Sequence, residues 1–207
     1  MDENNRRELP LGPFYWDESF MHMLRITAVA FAVLMVLGFV GGLLFPAMPA
    51  SLAQQFRQMV DDADIVDEGG KFNALAIFLH NLQAMGWAVL YGLVPVLHLP
   101  ALLLGVNSVL LGAMAAHYVN SGLSLLLYLA GLLPHGIFEI PAIVLSLTCG
   151  LYLCSYLTRR IFRRDQTPRQ PVFRRIAQVF SLAVIPLLAL AAALEAYVTP
   201  LILNSLL

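Results

Sequence analysis

Between Lys71 and Glu139 the chain runs for 67 residues without an aspartate, a glutamate, a lysine or an arginine. Two more uncharged runs, of 19 residues each, follow at residues 140–158 and 176–194. About 20 apolar residues of helix cross the ~30 Å hydrocarbon core of a bilayer. Only 12% of the residues are charged and 59% are hydrophobic, whereas a soluble domain is about 25% charged. The chain is therefore predicted to be all-α, a polytopic membrane helical bundle that forms a single integral membrane domain over residues 1–207.

Five segments are long enough to cross the bilayer, and one apolar segment is too short. The short segment, residues 121–133, has 13 residues and is expected to be a re-entrant or interfacial half-helix. The five predicted full spans are residues 26–45, 72–93, 99–117, 136–157 and 176–197.

The positions of the arginines predict the orientation of the spans. Residues 158–175 carry seven arginines and one aspartate, and cytoplasmic loops are rich in arginine and lysine. With five spans, the N-terminal segment 1–25 lies on the same side, in the cytoplasm or at its interface with the membrane, and the C-terminus lies outside. The predicted location is the cell membrane, with several passes and a cytoplasmic N-terminus. The arginine loop is expected to contact lipid headgroups, and no nucleic-acid partner is expected.

Two segments outside the spans have patterns of their own. In residues 46–71, apolar side chains fall on one stripe of a predicted external amphipathic helix, which is followed by an acidic loop. Near the N-terminus, an aromatic cluster predicts an interfacial anchor, with a partner-docking surface as the alternative. The stripe consists of Leu52, Phe56, Met59, Val60 and Ala63, and the aromatic cluster of Phe14, Tyr15, Trp16 and Phe20.

Two glutamates lie at the same predicted depth. Glu139 precedes Arg159 by 20 residues, and Glu195 follows Arg175 by 20 residues. At about 1.5 Å per residue, each glutamate is about 30 Å from the cytoplasmic boundary, near the outer edge of the hydrocarbon. The predicted polar layer at this depth comprises His117, His135, Glu139 and Glu195, and residues that could extend it inward are His80, Asn81 and Asn107.

The chemistry of this layer leaves several interpretations open. His135 and Glu139 are four residues apart and share a helix face, and Pro134 is expected to begin that helix. Ionisable groups in a membrane are costly unless they are paired, solvated or used. The layer is either a structural hydrogen bond between spans or a functional site. A functional site would be a metal site, a proton relay, or a path for an ion or a solute.

Signatures of an enzyme are absent from the sequence. There is no His-Glu-x-x-His, no paired-cysteine ligand set, no nucleophile elbow and no phosphate-cradling loop. We expect no cofactor, and a metal ion bound at the predicted polar layer is kept as an alternative. Cys149 and Cys154 are interpreted as packing residues. Gly38, Gly41 and Gly42 offer a close-packing face in the first span, which predicts a homodimer.

Two motifs carry a resemblance to a known family. "LLPHGIFEIPAI" (residues 132–143) together with "AAALEAYVTP" (residues 191–200) resembles the stage II sporulation protein M family of integral membrane proteins, and the resemblance covers nearly the whole chain. The chain departs from the family at His80–Asn81, where the family often has Asn-Asn, and at Asn107–Ser108, where it often has Asn-Gly. The matching positions are Pro134, His135, Gly136, Glu139, Glu195, Thr199 and Pro200.

The resemblance implies a non-enzymatic function. The sporulation member is similar to a scaffold that holds cell-wall-degrading partners. The first hypothesis is therefore a non-enzymatic membrane scaffold or assembly factor with envelope-protein partners. The second is a transporter or permease subunit with an ATPase partner, which would use the polar layer as a proton, ion or solute site. An intramembrane hydrolase is the third.

Overall fold

The computed structural model describes residues 18–47, 49–51, 54, 72–162 and 172–206. The described elements are helices: α1 (Glu18–Leu44), α2 (Ala74–Leu90, extended by a 3-10 turn, Tyr91–Leu93), α3 (Leu99–Asn120), α4 (Leu125–Phe162), α5 (Val172–Val179), α6 (Ile185–Tyr197) and α7 (Thr199–Leu206). A π-helical segment, Phe180–Val184, joins α5 to α6. The stripe of the predicted external helix, the aromatic residues before position 17 and most of the arginine loop lie outside the described residues.

Five helices are long and apolar enough to cross a membrane, as predicted. They are Glu18–Leu44, Ala74–Leu93, Leu99–Asn120, Leu125–Phe162 and Val172–Leu206. Local signals position their ends. The side chain of Asn73 caps α2 by accepting hydrogen bonds from the N–H groups of Leu75 and Ala76. Pro100 occupies the first turn of α3, where the missing N–H has no cost.

The prediction that Pro134 begins a helix is wrong. α4 runs for 38 residues from Leu125 and contains both Pro134 and Pro141, so the predicted half-helix is the first part of α4. A proline removes one backbone hydrogen bond, which packed neighbours in a membrane bundle can offset. The first turns of α4 have such neighbours: Tyr128 donates to the Leu111 carbonyl of α3 at 2.8 Å, and Gly131 approaches Leu203 of α7.

The first turns of α4 lie beside α3. Besides its hydrogen bond to the Leu111 carbonyl, Tyr128 contacts the ring of Tyr118 edge-on, with 5.3 Å between the ring centroids. Residues 125–133, the predicted half-helix, are therefore packed against α3 and continuous with the rest of α4.

α4 is the central helix of the bundle. In its most apolar 18-residue window 61% of residues are buried, compared with 17–39% in the other four spans. Gly150 of α4 lies against the backbone of α2, where an added Cβ would meet the Ala88 carbonyl oxygen and the ring of Pro100. Both predicted packing cysteines, Cys149 and Cys154, are free and buried.

The glycines of α1 are used inside the chain. An added Cβ on Gly38 would meet the backbone of Val109 in α3, and one on Gly42 would meet the Cβ of Ala116 at 2.7 Å. The face that suggested a homodimer is therefore covered by α3, and only Gly41 has open space around it. The homodimer remains a prediction, but the glycine face on which it was based is not available to a second chain. Phe20, predicted to belong to the interfacial anchor, is buried instead and contacts the ring of Tyr152 edge-on.

Two hydrogen bonds join the connection between α2 and α3 to the C-terminal part of α4. The N–H of Val96 donates to Thr158 Oγ1 at 2.9 Å, and Cys154 Sγ donates to the Val94 carbonyl at 3.3 Å. Val96 and His98 have positive φ values of 73° and 46°, an unusual conformation for residues other than glycine. These bonds to α4 hold the turn closed.

Candidate functional site

Three ionisable side chains from two helices meet near Pro134 of α4. His135 and Glu139 of α4 and Glu195 of α6 each offer a ligand atom, and these atoms all lie within 4.8 Å of one another. Nε2 of His135 is 3.8 Å from Oε2 of Glu139. The structure thus brings together the three residues whose depth was predicted from the two arginine clusters. We call these three residues the polar cluster.

Thr199 completes the surroundings of His135. Its side chain is buried, with 7% of the residue exposed, and Oγ1 donates to the Leu194 carbonyl at 3.3 Å. Nδ1 of His135 lies 3.5 Å from Oγ1 of Thr199. Thr199 was expected only as a secondary member of the motif, and the structure places it against the histidine.

The sequence between Glu195 and Pro200 explains how Thr199 reaches this position. α6 ends at Tyr197, and the N–H of Val198 closes its last turn on the Leu194 carbonyl. Pro200 lacks an N–H and therefore fits the first turn of α7. The interruption between the two helices places Thr199 one turn after Glu195.

Pro134 and Gly136 flank His135 within α4. Gly136 is buried, and an added Cβ there would meet only the side chains of Leu132 and Ile140, at 3.3 to 3.7 Å. No close approach of another helix therefore requires a glycine at position 136. Pro134 lies inside α4 and removes one backbone hydrogen bond there.

The other predicted members of the layer are not part of the polar cluster. His117 is half-buried near the end of α3 and is not among the three residues that meet there. The C-terminal end of α3 is held against α1, since Asn120 Nδ2 donates to the Gly42 carbonyl at 2.9 Å.

The three residues expected to extend the layer inward are not connected to it in the described part of the chain. Asn107 donates to the Leu103 carbonyl of its own helix at 2.9 Å and lines a cavity of about 240 Å³ between α2, α3 and α4. His80 and Asn81 are half-buried on α2.

Ser146 is a polar residue that the sequence analysis missed. Its hydroxyl is fully buried and has no hydrogen-bond partner among the described residues, which is rare in folded proteins. It lies seven residues, or two helical turns, after Glu139 on the same side of α4. This seven-residue spacing from Glu139 is the sequence feature that could have identified Ser146.

The charges of the polar cluster are not balanced by basic residues. In the described ranges no lysine or arginine pairs with Glu139 or Glu195, and the one ion pair either makes is the contact of Glu139 with His135. Two carboxylates held together in apolar surroundings need a proton or a cation between them. The site can therefore hold a cation, hold a shared proton, or join two helices by hydrogen bonds.

A comparison with protein families gives one match. The family described as Stage II sporulation protein M matches residues 27–200. The chain belongs to the stage II sporulation protein M family. The matched range contains both motifs and every residue of the polar cluster, and the chain is a membrane protein of this family. Neither the curated proteins nor the solved structures contain a match.

Proposed function

We propose that this member of the stage II sporulation protein M family is a non-enzymatic membrane scaffold or assembly factor. The observation that carries the proposal is a pair of helices beyond the polar cluster. Residues 125–133 of α4 and helix α7 pack side by side, where an added Cβ on Gly131 would lie 3.8 Å from Leu203. We call this pair the outer platform.

The outer platform exposes apolar side chains that a partner could cover. Large leucines are exposed on both of its helices, with 67% of Leu126, 50% of Leu133 and 69% of Leu201 accessible. The polar cluster and Thr199 fix the two helices relative to each other, so this surface is rigid before any partner arrives. A preorganised surface loses less entropy on binding than a flexible one.

The continuity of α4 favours a scaffold over a transporter. Transporters commonly bind their substrates at helices that are interrupted near the middle of the membrane. The interruption expected at Pro134 does not occur, because α4 continues through it, whereas the break between α6 and α7 after Tyr197 counts for the transporter. The polar cluster instead lies between two packed helices, where it supports their arrangement.

A permease subunit is the second candidate, and two features of the spans favour it. The π-helical segment Phe180–Val184 lies in the same span as Glu195, and π-helical turns often mark functional sites. The unpartnered hydroxyl of Ser146 supplies a polar atom deeper along α4. A proton or ion moving inward from the polar cluster could use both.

In-cell photo-crosslinking separates the two candidates. A photoreactive residue at position 126 or 201 of the outer platform should yield the same partner protein, and the partner should co-purify with the full chain. Position 102 on α3, where leucine is 66% exposed, is the matched control and should yield lipid adducts only. The scaffold proposal fails if positions 126 and 201 behave like position 102. Co-purification of an ATPase, with ion or solute flux in vesicles, would favour the permease.

A further inference from the structure

The two ring nitrogens of His135 have different surroundings. Nδ1 lies 3.5 Å from Oγ1 of Thr199, whose hydroxyl is also within 3.3 Å of the Leu194 carbonyl oxygen. Nε2 lies on the side of Glu139. In the neutral tautomer with its hydrogen on Nδ1, Nε2 is free to accept a hydrogen bond or to bind an ion.

Nε2 of His135 meets two carboxylates. It lies 3.8 Å from Oε2 of Glu139, beyond the roughly 2.7–3.2 Å of an N–H···O hydrogen bond. Glu195 brings a second carboxylate to the same point. No lysine or arginine of the described ranges pairs with either glutamate. Two carboxylates and an imidazole nitrogen that converge in apolar surroundings are stabilised by a cation between them.

The separations suit a small divalent ion. Ligand atoms about 2.0–2.2 Å from one ion lie at most about 4.4 Å apart. The 3.8 Å between His135 and Glu139 already meets this limit. The 4.8 Å that bounds the whole group exceeds it by less than about 1 Å, which a small side-chain rotation closes.

We propose that His135, Glu139 and Glu195 bind a divalent transition-metal ion of the zinc or manganese type. One imidazole and two carboxylates, without a thiolate, are the ligands that these ions accept. Two of the ligands lie four residues apart on one helix face, the spacing of helical metal motifs. The side chains of His135 and Glu139 are 12% and 22% exposed, so the remaining coordination positions can be filled by water.

Thr199 is the positioning residue of this site. Metal-binding histidines usually direct their second ring nitrogen to an oxygen of the protein, which orients the ring. Thr199 provides that oxygen from the start of α7. The metal would therefore join α4 directly to α6 and, through Thr199, to α7. This assignment concerns the polar cluster alone and does not depend on the scaffold function.

The test is a metal titration of the purified full chain in detergent. The protein is treated with a chelator, desalted, and titrated with Zn²⁺, Mn²⁺ and, as a hard-ion comparison, Mg²⁺. Bound metal is measured by mass spectrometry of the elements, and thermal unfolding is followed by tryptophan fluorescence. We expect one Zn²⁺ or Mn²⁺ per chain, a higher unfolding temperature when the ion is bound, reversal by EDTA, and no comparable effect of Mg²⁺.

Variants assign the ion to these residues. Glu139→Gln, Glu195→Gln and His135→Gln should each abolish stoichiometric binding, whereas His117→Gln, at a histidine outside the polar cluster, should bind like the wild type. Thr199→Val should weaken binding by about 10-fold or more, and Thr199→Ser should restore it. If a glutamine variant fails to fold, visible absorption of the Co²⁺-loaded wild type, displaced by Zn²⁺, provides the second measurement. A folded wild type that binds no ion, or glutamine variants that bind as it does, would overturn the proposal.

Discussion

Single hydroxyl groups make several of the side-chain hydrogen bonds along α4. Thr199 gives His135 a partner, and Tyr128 ties the first turns of α4 to α3. Thr148 donates to the Val144 carbonyl of its own helix at 2.7 Å. Ser146, only two residues away and equally buried, donates to none of the described residues. A buried hydroxyl with a partner and one without it should contribute to stability with opposite signs.

Ser146→Ala and Thr148→Val test this contrast. Replacing Ser146 removes an unpaired buried hydroxyl, so we expect the free energy of unfolding to stay the same or rise by about 1 kcal/mol. Thr148→Val keeps the shape and removes a hydrogen bond, which should lower the stability by about 0.5–1.5 kcal/mol. Unfolding in mixed micelles with increasing SDS measures both. A clear loss of stability in Ser146→Ala would show that this hydroxyl has a partner, such as water.

At the scale of helices, Pro134 directly follows the part of α4 that belongs to the outer platform. These first turns contact α3 through Tyr128 and α7 through Gly131. A helix with a proline in its interior loses one hydrogen bond and is free to bend there. We expect Pro134 to set the direction of the first turns of α4, so that its replacement moves them away from both neighbours.

Pro134→Ala should therefore separate the two helices of the outer platform. We expect a cysteine pair at positions 131 and 203 to crosslink efficiently with a short bifunctional reagent, and to crosslink less in the Pro134→Ala background. The control pair, at positions 77 and 192, joins α2 to α6 within one buried cluster and should crosslink equally in both backgrounds. Equal crosslinking at 131 and 203 in both backgrounds would contradict a role of Pro134 in positioning the first turns of α4.

Close helix approaches at glycine give a second prediction at this scale. An alanine at Gly150 would place its Cβ against the Ala88 carbonyl and the Pro100 ring, so we expect Gly150→Ala to lower the stability by about 1–3 kcal/mol. Gly41→Ala enters open space and should be neutral or stabilising by up to about 1 kcal/mol. The same SDS unfolding assay compares them. Similar effects at the two positions would contradict the close approach of α2 and α4.

For the molecule as a whole, the sequence predicted the spans and part of the polar cluster. Hydropathy is summed over about 20 residues, so five long apolar runs identify five spans despite local irregularities. Counting residues from Arg159 and Arg175 gave Glu139 and Glu195 a common depth. A depth count does not tell which neighbouring helix a side chain meets, so it could not show that His117 is not among the three residues of the polar cluster.

Long-range packing explains the remaining differences. Pro134 is a common first-turn residue, and only the contacts of residues 125–133 with α3 and α7 reveal that the helix continues through it. Gly38 and Gly42 could serve an interface within one chain or between two chains, and their sequence pattern is the same in both cases. Such choices depend on partners that are distant in the sequence.

The orientation of the bundle is predicted from its arginines and can be measured in intact cells. Cysteines are introduced singly at positions 65 and 166 after Cys149 and Cys154 are replaced. A membrane-impermeant maleimide should label position 65 from outside and should label position 166 only after the membrane is opened, because the arginine-rich loop is predicted to be cytoplasmic. Labelling of position 166 in intact cells would invert the proposed topology.

The central place of α4 has a consequence for the order in which the protein is assembled during synthesis. α1 and α3 fit each other through Gly38, Gly42 and Gly112, so they can pair as soon as α3 leaves the ribosome. α2 packs chiefly against α4 and α6, which are made later. During translation α2 must therefore wait in the lipid, or beside an insertion factor, until α4 arrives. A chain that stops after Asn120 would leave α2 without its neighbours, and quality-control proteases would meet it in that state.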